Sequence, residues 1–255
     1  MAEPLIWSLT TEQTATSTSD LAKLAAAGGA PPGSAFLAVE QTAGRGRHGR
    51  SWSSQKGGMY LSVLLRPPVD LSQWFALSFA ASLAVLETVR AQIEAHMPGA
   101  HMPQTGLKWP NDVMLAGGKI AGILLEVDGQ NLIIGSGINI APVGAVGAQR
   151  IAPVALADIW PIDRAALPSP HDLAAAYIDR LAVWYESFCQ SGFAPIRTAW
   201  LQNALFLGQQ VAVARGETMI SGVFHDLGMD GTMLLLDDSG QTHHIGTGDV
   251  KLLGS

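Results

Sequence analysis

Apolar positions along the chain recur with two periods, and the switches between them outline the fold. Across residues 72–94, Phe75, Phe79, Leu83, Leu86, Val89 and Ile93 fall at helical spacing and predict one long buried helix. Residues 119–127 and 132–140 are nearly continuous apolar runs around the turn Asp128-Gly129-Gln130-Asn131, which predicts a buried hairpin. Shorter strand patterns cover 5–9, 35–40 and 59–65. A helix is predicted over 21–27, capped by Ser19-Asp20 and ended by Gly28-Gly29. A second long helix starts at Ser169 with Pro170 in its first turn and stops near Gly192, and a short one follows around 195–206. Beyond Gly208 the texture becomes five short strands, at 210–214, 219–224, 232–236, 242–245 and 250–253, separated by turns such as Asp230-Gly231 and Ser239-Gly240. That spacing suggests a small barrel, with a domain boundary near Leu207 dividing residues 1–207 from 208–255. Residues 142–153, rich in Gly, Ala and Pro, read as a flexible loop.

Composition narrows this picture. With 255 residues, 48% hydrophobic and only 14% charged, the chain can bury one full core and support a small second unit. The net charge of -6 argues against general nucleic-acid binding. A single cysteine, Cys189, excludes an internal disulfide and suits a reducing compartment; its apolar helical setting suggests a buried structural thiol. The start of the chain lacks the basic and apolar regions of a signal peptide, and the most apolar window is too short to span a bilayer, so a cytoplasmic protein without a membrane partner is expected.

Charge patterning supplies the candidate chemistry. Gly44-Arg45-Gly46-Arg47-His48-Gly49-Arg50 concentrates three of the ten arginines in one glycine loop. Glycines let backbone approach a ligand, and guanidinium forks suit carboxylates and phosphates. The loop also matches G-x-G-x-x-G, but Ser51 to Gly58 behind it is loop chemistry rather than the helix a dinucleotide fold requires. Lys108-Trp109-Pro110-Asn111-Asp112 sets a lysine, an amide and a carboxylate around a proline turn. Lys119, one of five lysines, opens an apolar strand whose only other charged residue is Glu126 near its end, and Gly122, Gly135 and Gly137 interrupt the predicted hairpin, where a ligand or another backbone must come close. These features describe a sheet with a substrate lying across it and anion binders at its rim.

The chain resembles biotin protein ligases through four segments in order: the arginine–glycine loop, Lys108 to Asp112, Gly118-Lys119-Ile120-Ala121-Gly122-Ile123-Leu124-Leu125-Glu126, and Gly135-Ser136-Gly137-Ile138-Asn139. The resemblance implies an α+β fold: a class II aminoacyl-tRNA synthetase-like catalytic domain, a mixed sheet flanked by helices, followed by a small SH3-like β-barrel. It implies synthesis of biotinyl-5′-AMP from biotin and MgATP and transfer of biotin to one lysine of a biotin carboxyl carrier protein, such as that of acetyl-CoA carboxylase. By position in these motifs, Lys119, Arg47 and Arg45 are implied as catalytic. Ser17, Thr18, Ser19, Gln41, Gly44, Arg45, Gly46, Arg47, Lys119, Gly122 and Gly135 are implied to hold biotin. Arg45, Arg47, Arg50, Trp52, Lys108, Asn111, Asp112 and Asn139 are implied to hold ATP, with Asn139 near the adenine and Asp112 toward the metal ion, Mg²⁺.

The chemistry suits the residue types. A carboxylate attacking a triphosphate brings like charges together, each unit pair costing about 4 kcal/mol at 4 Å and an effective dielectric near 20. Arg45, Arg47, Lys119 and Mg²⁺ are suited to offset that repulsion. The chain departs from the family pattern in having Ser19 where many bacterial members have Asn, and His48 where Arg is common. His243-His244 lie on one strand with side chains on opposite faces, which argues against a shared metal site. The motifs begin within the first twenty residues, so an N-terminal helix-turn-helix is not expected and a monofunctional ligase is. Lipoate protein ligases share the chemistry but group their glycines differently, and a non-catalytic biotin sensor would keep the pocket without the cations. A monomer and a homodimer both remain open.

Overall fold

The computed structural model describes residues 5–98, 101–142, 151–160, 167–215 and 218–253. The polar edge strand β1 (Ser8–Ala15) leads into α1 (Thr18–Ala27), and β2 (Ser34–Gln41) returns parallel to β1. A 3₁₀ turn at Arg47–Gly49 precedes β3 (Gly58–Leu65), which is followed by the long α2 (Ala76–His96). A meander, β4 (Thr105–Lys108), β5 (Asp112–Leu115), β6 (Gly118–Asp128) and β7 (Asn131–Asn139), completes a seven-stranded sheet in the order β1-β2-β3-β7-β6-β5-β4. Only β1 and β2 are parallel; the remaining pairs are antiparallel.

Alternation along the strands divides the sheet into two faces. Met59, Leu61, Val63 and Leu65 of β3, with Leu132, Ile134 and Ile138 of β7, join the main core under α2 and α4 (Pro170–Ser191). On the opposite face Leu64 and Ile133 pack against Ala22 of α1, which shields only part of the sheet. Past the N-terminus of α1 that face is left bare by Gly122, Gly135 and Gly137. The fold therefore leaves an open strip of backbone beside a helix start.

A short α3 (Leu156–Ile159) and α5 (Phe193–Gln202) lead to a second, antiparallel sheet of β8 (Gln210–Arg215), β9 (Thr218–Leu227), β10 (Met233–Leu236), β11 (Thr242–Ile245) and β12 (Asp249–Leu252), ordered β11-β10-β9-β8-β12. Its β9–β10 turn inserts into the first unit. Trp109 Nε1 donates to Gly231 O at 3.1 Å, and Gly231, at φ +77, leaves no room for a Cβ beside the rings of Phe75 and Phe79. Arg197 Nε donates to Leu227 O at 2.7 Å and the same guanidinium pairs with Asp226.

Several sequence expectations need correction. The first strand covers Ser8–Ala15 rather than 5–9, because it is an exposed edge whose Thr, Glu and Gln residues are held by pairing to β2 and carry no apolar alternation. Helix α1 begins at Thr18, earlier than expected, and Ser17 is its cap: the Ser17 hydroxyl accepts from Ser19 N at 3.3 Å. Asp20 is drawn instead to Arg45. Strands β4 and β5 had no signature, being four residues each and fixed only by their neighbours. The long helix runs to His96 after a 3₁₀ turn at Leu71–Gln73, and the stretch Leu71–His96, which contains an 18-residue window of mean hydropathy 1.3, is long and apolar enough to cross a membrane by composition. Most of it is buried in the core, and Trp184 Nε1 donates to Glu87 on its outer side at 3.2 Å. Cys189 is only partly buried; burial pushes its thiol up. Of the loop expected over 142–153, residues 143–150 lie outside the described residues.

Candidate active site

The bare strip floors a cleft of about 740 Å³. Its lining includes most of the residues singled out from the sequence: Ser17, Thr18 and Ser19 from the start of α1; Gln41 at the end of β2; Arg45, Gly46, Arg47, Arg50 and Trp52 from the glycine loop; Lys108, Asn111 and Asp112 from the β4–β5 turn; Lys119 and Gly122 of β6; and Gly135 of β7. Residues separated by more than a hundred positions converge because β3, β7, β6 and β5 are adjacent in the sheet.

Gly122 and Gly137 are direct partners across the β6–β7 ladder. The indole of Trp52 covers both: a Cβ on Gly137 would lie 2.6 Å from Trp52 Nε1, and one on Gly122 would lie 3.0 Å from the ring. Lys119 Nζ sits 5.2 Å from the centre of the same indole, within cation–π range. It also pairs with Asp112 Oδ1 at 2.5 Å. Trp52 Nε1 is buried with no hydrogen-bond partner among the described residues. The side chain thus holds an unused donor against the cleft floor, next to a lysine.

The arginines occupy different environments. Arg45 Nη2 pairs with Asp20 at 2.8 Å and Glu126 at 3.2 Å, while Lys23 reaches Glu126 at 2.9 Å, so two cations meet two carboxylates. The Arg45 hydrogen bond holds the Asp20 carboxyl below its ordinary value. Burial pulls the Glu126 carboxyl upward, but the Lys23 ammonium and the field of Arg45 outweigh it, and the net shift is down. Arg47 donates instead to neutral oxygens, Asn111 Oδ1 at 3.2 Å and Thr247 Oγ1 at 3.3 Å, and burial lowers its affinity for the proton. The fields of Asp112 and Asp249 work against that lowering. Arg50 lies at the rim, 3.6 Å from Asp249.

Hydroxyls and an amide line the α1 end. Gln41 Oε1 accepts from Thr18 N at 2.8 Å and from the Thr18 hydroxyl at 3.2 Å, and Gln41 Nε2 donates to Ser54 Oγ at 2.7 Å. The Tyr60 hydroxyl donates to Gln55 O at 2.7 Å, and burial pushes it up to about 12.

Two expected residues do not line the cleft. Gly44 is buried behind the loop, where a Cβ would meet Trp52 O and Ser54 Oγ; its lack of a side chain allows that packing. Asn139, expected near the adenine, is buried and donates to Val154 O at 3.0 Å and Lys119 O at 3.3 Å, clamping the backbone that carries Lys119. His48 is exposed, as expected of a loop side chain. Among the described residues no three His, Cys, Asp or Glu side chains gather in a metal-binding cluster. His243 is taken up by Asp237, at 2.6 Å.

Sequence reasoning missed one wall altogether. Gly248, Asp249, Val250 and Lys251, on and beside β12, line the cleft from the second sheet. Only the docking of that sheet brings them there, and no local pattern marks them.

Comparisons agree with the geometry. The profile of the biotin/lipoate A/B protein ligase family matches residues 11–139. A biotin–[acetyl-CoA-carboxylase] ligase of Paracoccus denitrificans is 35% identical over 218 residues, covering 82% of this chain and 87% of the relative. One from Mycobacterium tuberculosis is 34% identical over 247 residues, covering 93% and 86%. Among solved structures, a mutant of the Aquifex aeolicus biotin protein ligase, in complex with biotin, superimposes with a TM-score of 0.78 at 27% identity, covering 96% of this chain and 98% of that one. The Aquifex aeolicus enzyme in complex with biotin and ATP superimposes with a TM-score of 0.74 at 27% identity, covering 97% and 99%.

Proposed function

Because this chain belongs to the biotin/lipoate A/B protein ligase family, we propose that its cleft activates biotin as biotinyl-5′-AMP and passes the biotinyl group to a lysine of a biotin carboxyl carrier domain. A biotin carboxylate oxygen attacks the α-phosphorus of ATP, the bond to the bridging oxygen breaks, and pyrophosphate leaves. The carrier amine then attacks the acyl carbon, AMP departs and the amine proton passes to solvent. Once the mixed anhydride is held in place, alignment of that amine supplies most of the rate, and no covalent enzyme intermediate is needed.

The observation that carries this reading is the arrangement of Arg47 and Lys119 on either side of Asn111 and Asp112, at the edge of the bare glycine strip. An apolar acyl chain would lie along the strip with the Trp52 indole shifted off Gly122 and Gly137, and its carboxylate would then meet Lys119. Arg47 donates to the neutral oxygens of Asn111 and Thr247, which it can exchange for phosphate oxygens. Lys119 would act electrostatically at the carboxylate and α-phosphate. The roles of Arg45 and Arg47 therefore separate. Arg45 acts as a strut of the biotin-side loop, and Arg47 as the phosphate-binding cation, with Arg50 and Lys108 on the nucleotide side and Trp52 over the glycine strip where the two sides meet.

Mg²⁺ ordinarily enters such sites with the triphosphate, keeps several waters and needs only one or two protein carboxylates. Asp112 is suited to that role, releasing Lys119 to the substrate anions; the ion would neutralise phosphate charge. The acidic balance and single cysteine support a cytoplasmic enzyme without a nucleic-acid partner. Residues 208–255 are assigned as a second domain that closes the nucleotide side of the cleft.

Exchange of labelled pyrophosphate into ATP, with Mg²⁺ and either biotin or lipoate, tests the proposal. Exchange with biotin is expected. Exchange with lipoate alone would move the chain to the lipoate branch of the family, and biotin binding without exchange would make it a sensor.

A further inference from the structure

Asn111 lines the cleft beside Arg47, yet both ends of its amide are already in use. Its Oδ1 accepts from Arg47 Nη1 at 3.2 Å, and its Nδ2 donates to Ile123 O. The orientation of the amide follows from its partners, because a guanidinium only donates and a carbonyl oxygen only accepts. The backbone of Asn111 meets the same residue, since Ile123 N donates to Asn111 O at 3.2 Å. Asn111 therefore holds both backbone groups of Ile123, one position beyond the Asp112–Gly122 pair of the β5–β6 ladder.

Two neighbouring residues thus hold the two cations in different ways. Asp112 meets Lys119 with a carboxylate, whereas Asn111 meets Arg47 with a neutral oxygen. Thr247 steadies Arg47 Nη2 from the second sheet, at 3.3 Å. A carboxylate in place of the amide would set a second acceptor against Ile123 O and add an anion to the guanidinium. An apolar side chain would take away both bonds. The amide anchors the guanidinium and leaves its charge for an incoming anion. The bonds to Asn111 and Thr247 use two of the five guanidinium N–H groups, so Nη1 can stay on Asn111 while others turn to phosphate oxygens.

We propose that Asn111 is a positioning residue: tied to the cleft floor at Ile123, it fixes the Arg47 guanidinium for the triphosphate without neutralising it. It acts through Arg47 and makes no contact of its own with the nucleotide. This rests on the acid-activating reading of the site. It changes the part expected of Asn111 there, from a nucleotide ligand to the support of one.

The test is a double-mutant cycle between Asn111→Ala and Arg47→Ala in the full-length chain, read by pyrophosphate exchange. On the scale of a hydrogen bond to a charged group, Asn111→Ala should lower kcat/KM for ATP by about tenfold to a hundredfold while Arg47 is present. In the Arg47→Ala background the same substitution should change it by less than about twofold. KM for biotin should stay near its wild-type value in both backgrounds. Asn111→Gln, which keeps donor and acceptor but moves them by one methylene, should show the same dependence on Arg47 and replaces the alanine variant if that one does not fold. Equal losses in the two backgrounds would overturn the proposal, because Asn111 would then act on the nucleotide or the fold by itself. Unchanged kinetics in the Asn111 variants would overturn it as well. A wild-type chain that exchanges with lipoate and not biotin would remove the biotin reading alone, and the cycle is then read with lipoate. If neither acid supports exchange, the cycle is read as ATP affinity by calorimetric titration, with the same two outcomes deciding it.

Discussion

Arg45 and Asp20 form an ion pair at 2.8 Å that ties the glycine loop to the first turn of α1. Glu126 completes the contact from β6, so the loop is anchored to both a helix and the sheet without help from a ligand. In the sequence Arg45 and Arg47 look equivalent. In the structure one is neutralised by carboxylates and the other donates to the neutral oxygens of Asn111 and Thr247.

That difference predicts divergent mutants. Arg47→Ala and Lys119→Ala should keep the fold and lose pyrophosphate exchange by roughly 10²–10³-fold, the scale of losing one preorganised electrostatic contact. Arg45→Ala should instead speed proteolysis within residues 44–58 and raise KM for biotin more than it lowers kcat. Equal effects of Arg45→Ala and Arg47→Ala on kcat would remove the distinction between strut and phosphate binder.

The same anchor should be sensitive to acid. Asp20 and Glu126 are both held below their ordinary values of 3.8 and 4.5. A depressed carboxyl contributes stability that is complete above its unfolded value and is lost as pH falls through its folded one. Asp20→Asn should therefore lower the thermal midpoint at pH 7, and the gap from wild type should close below about pH 3.8. A gap that persisted undiminished at pH 3 would show that Asp20 acts through something other than its charge.

Gly137→Ala places a methyl 2.6 Å from Trp52 Nε1 and must displace the indole. Calorimetric titration with biotin should then show a weakened affinity, by about tenfold or more, while a thermal melt drops only modestly, because the indole can move into the open cleft and the ladder stays paired. Unaltered affinity would mean that Trp52 does not shape the biotin side of the cleft.

Docking of the second sheet rests on Gly231. Gly231→Ala would set a Cβ 2.8 Å from the Phe75 ring at a φ of +77, combining overpacking with backbone strain. It should cost about 1–3 kcal/mol in denaturant unfolding. Because the displaced sheet carries Asp249 and Thr247, KM for ATP should rise more than KM for biotin. A change confined to biotin would contradict this assignment of sides.

What could be read from the chain by itself follows from local physics. Apolar periodicity located α2, the β6–β7 hairpin and the five short strands of the second sheet, because burial on one face imposes that periodicity directly. Ser169-Pro170 marked the start of α4 because capping chemistry is local. The glycine–arginine loop, the Lys108–Asp112 turn and Lys119 were identifiable because they gather scarce cations beside glycines in a chain with few charged residues. Tertiary structure alone decided which atoms these groups meet. The pairing of Arg45 with Asp20, the use of Asn139 as a backbone clamp and the β12 wall all depend on contacts between residues distant in sequence. Side-chain charge and hydrogen-bonding capacity are written residue by residue, but the partner that satisfies them is chosen by sheet order and helix docking, for which a one-dimensional pattern carries no signal.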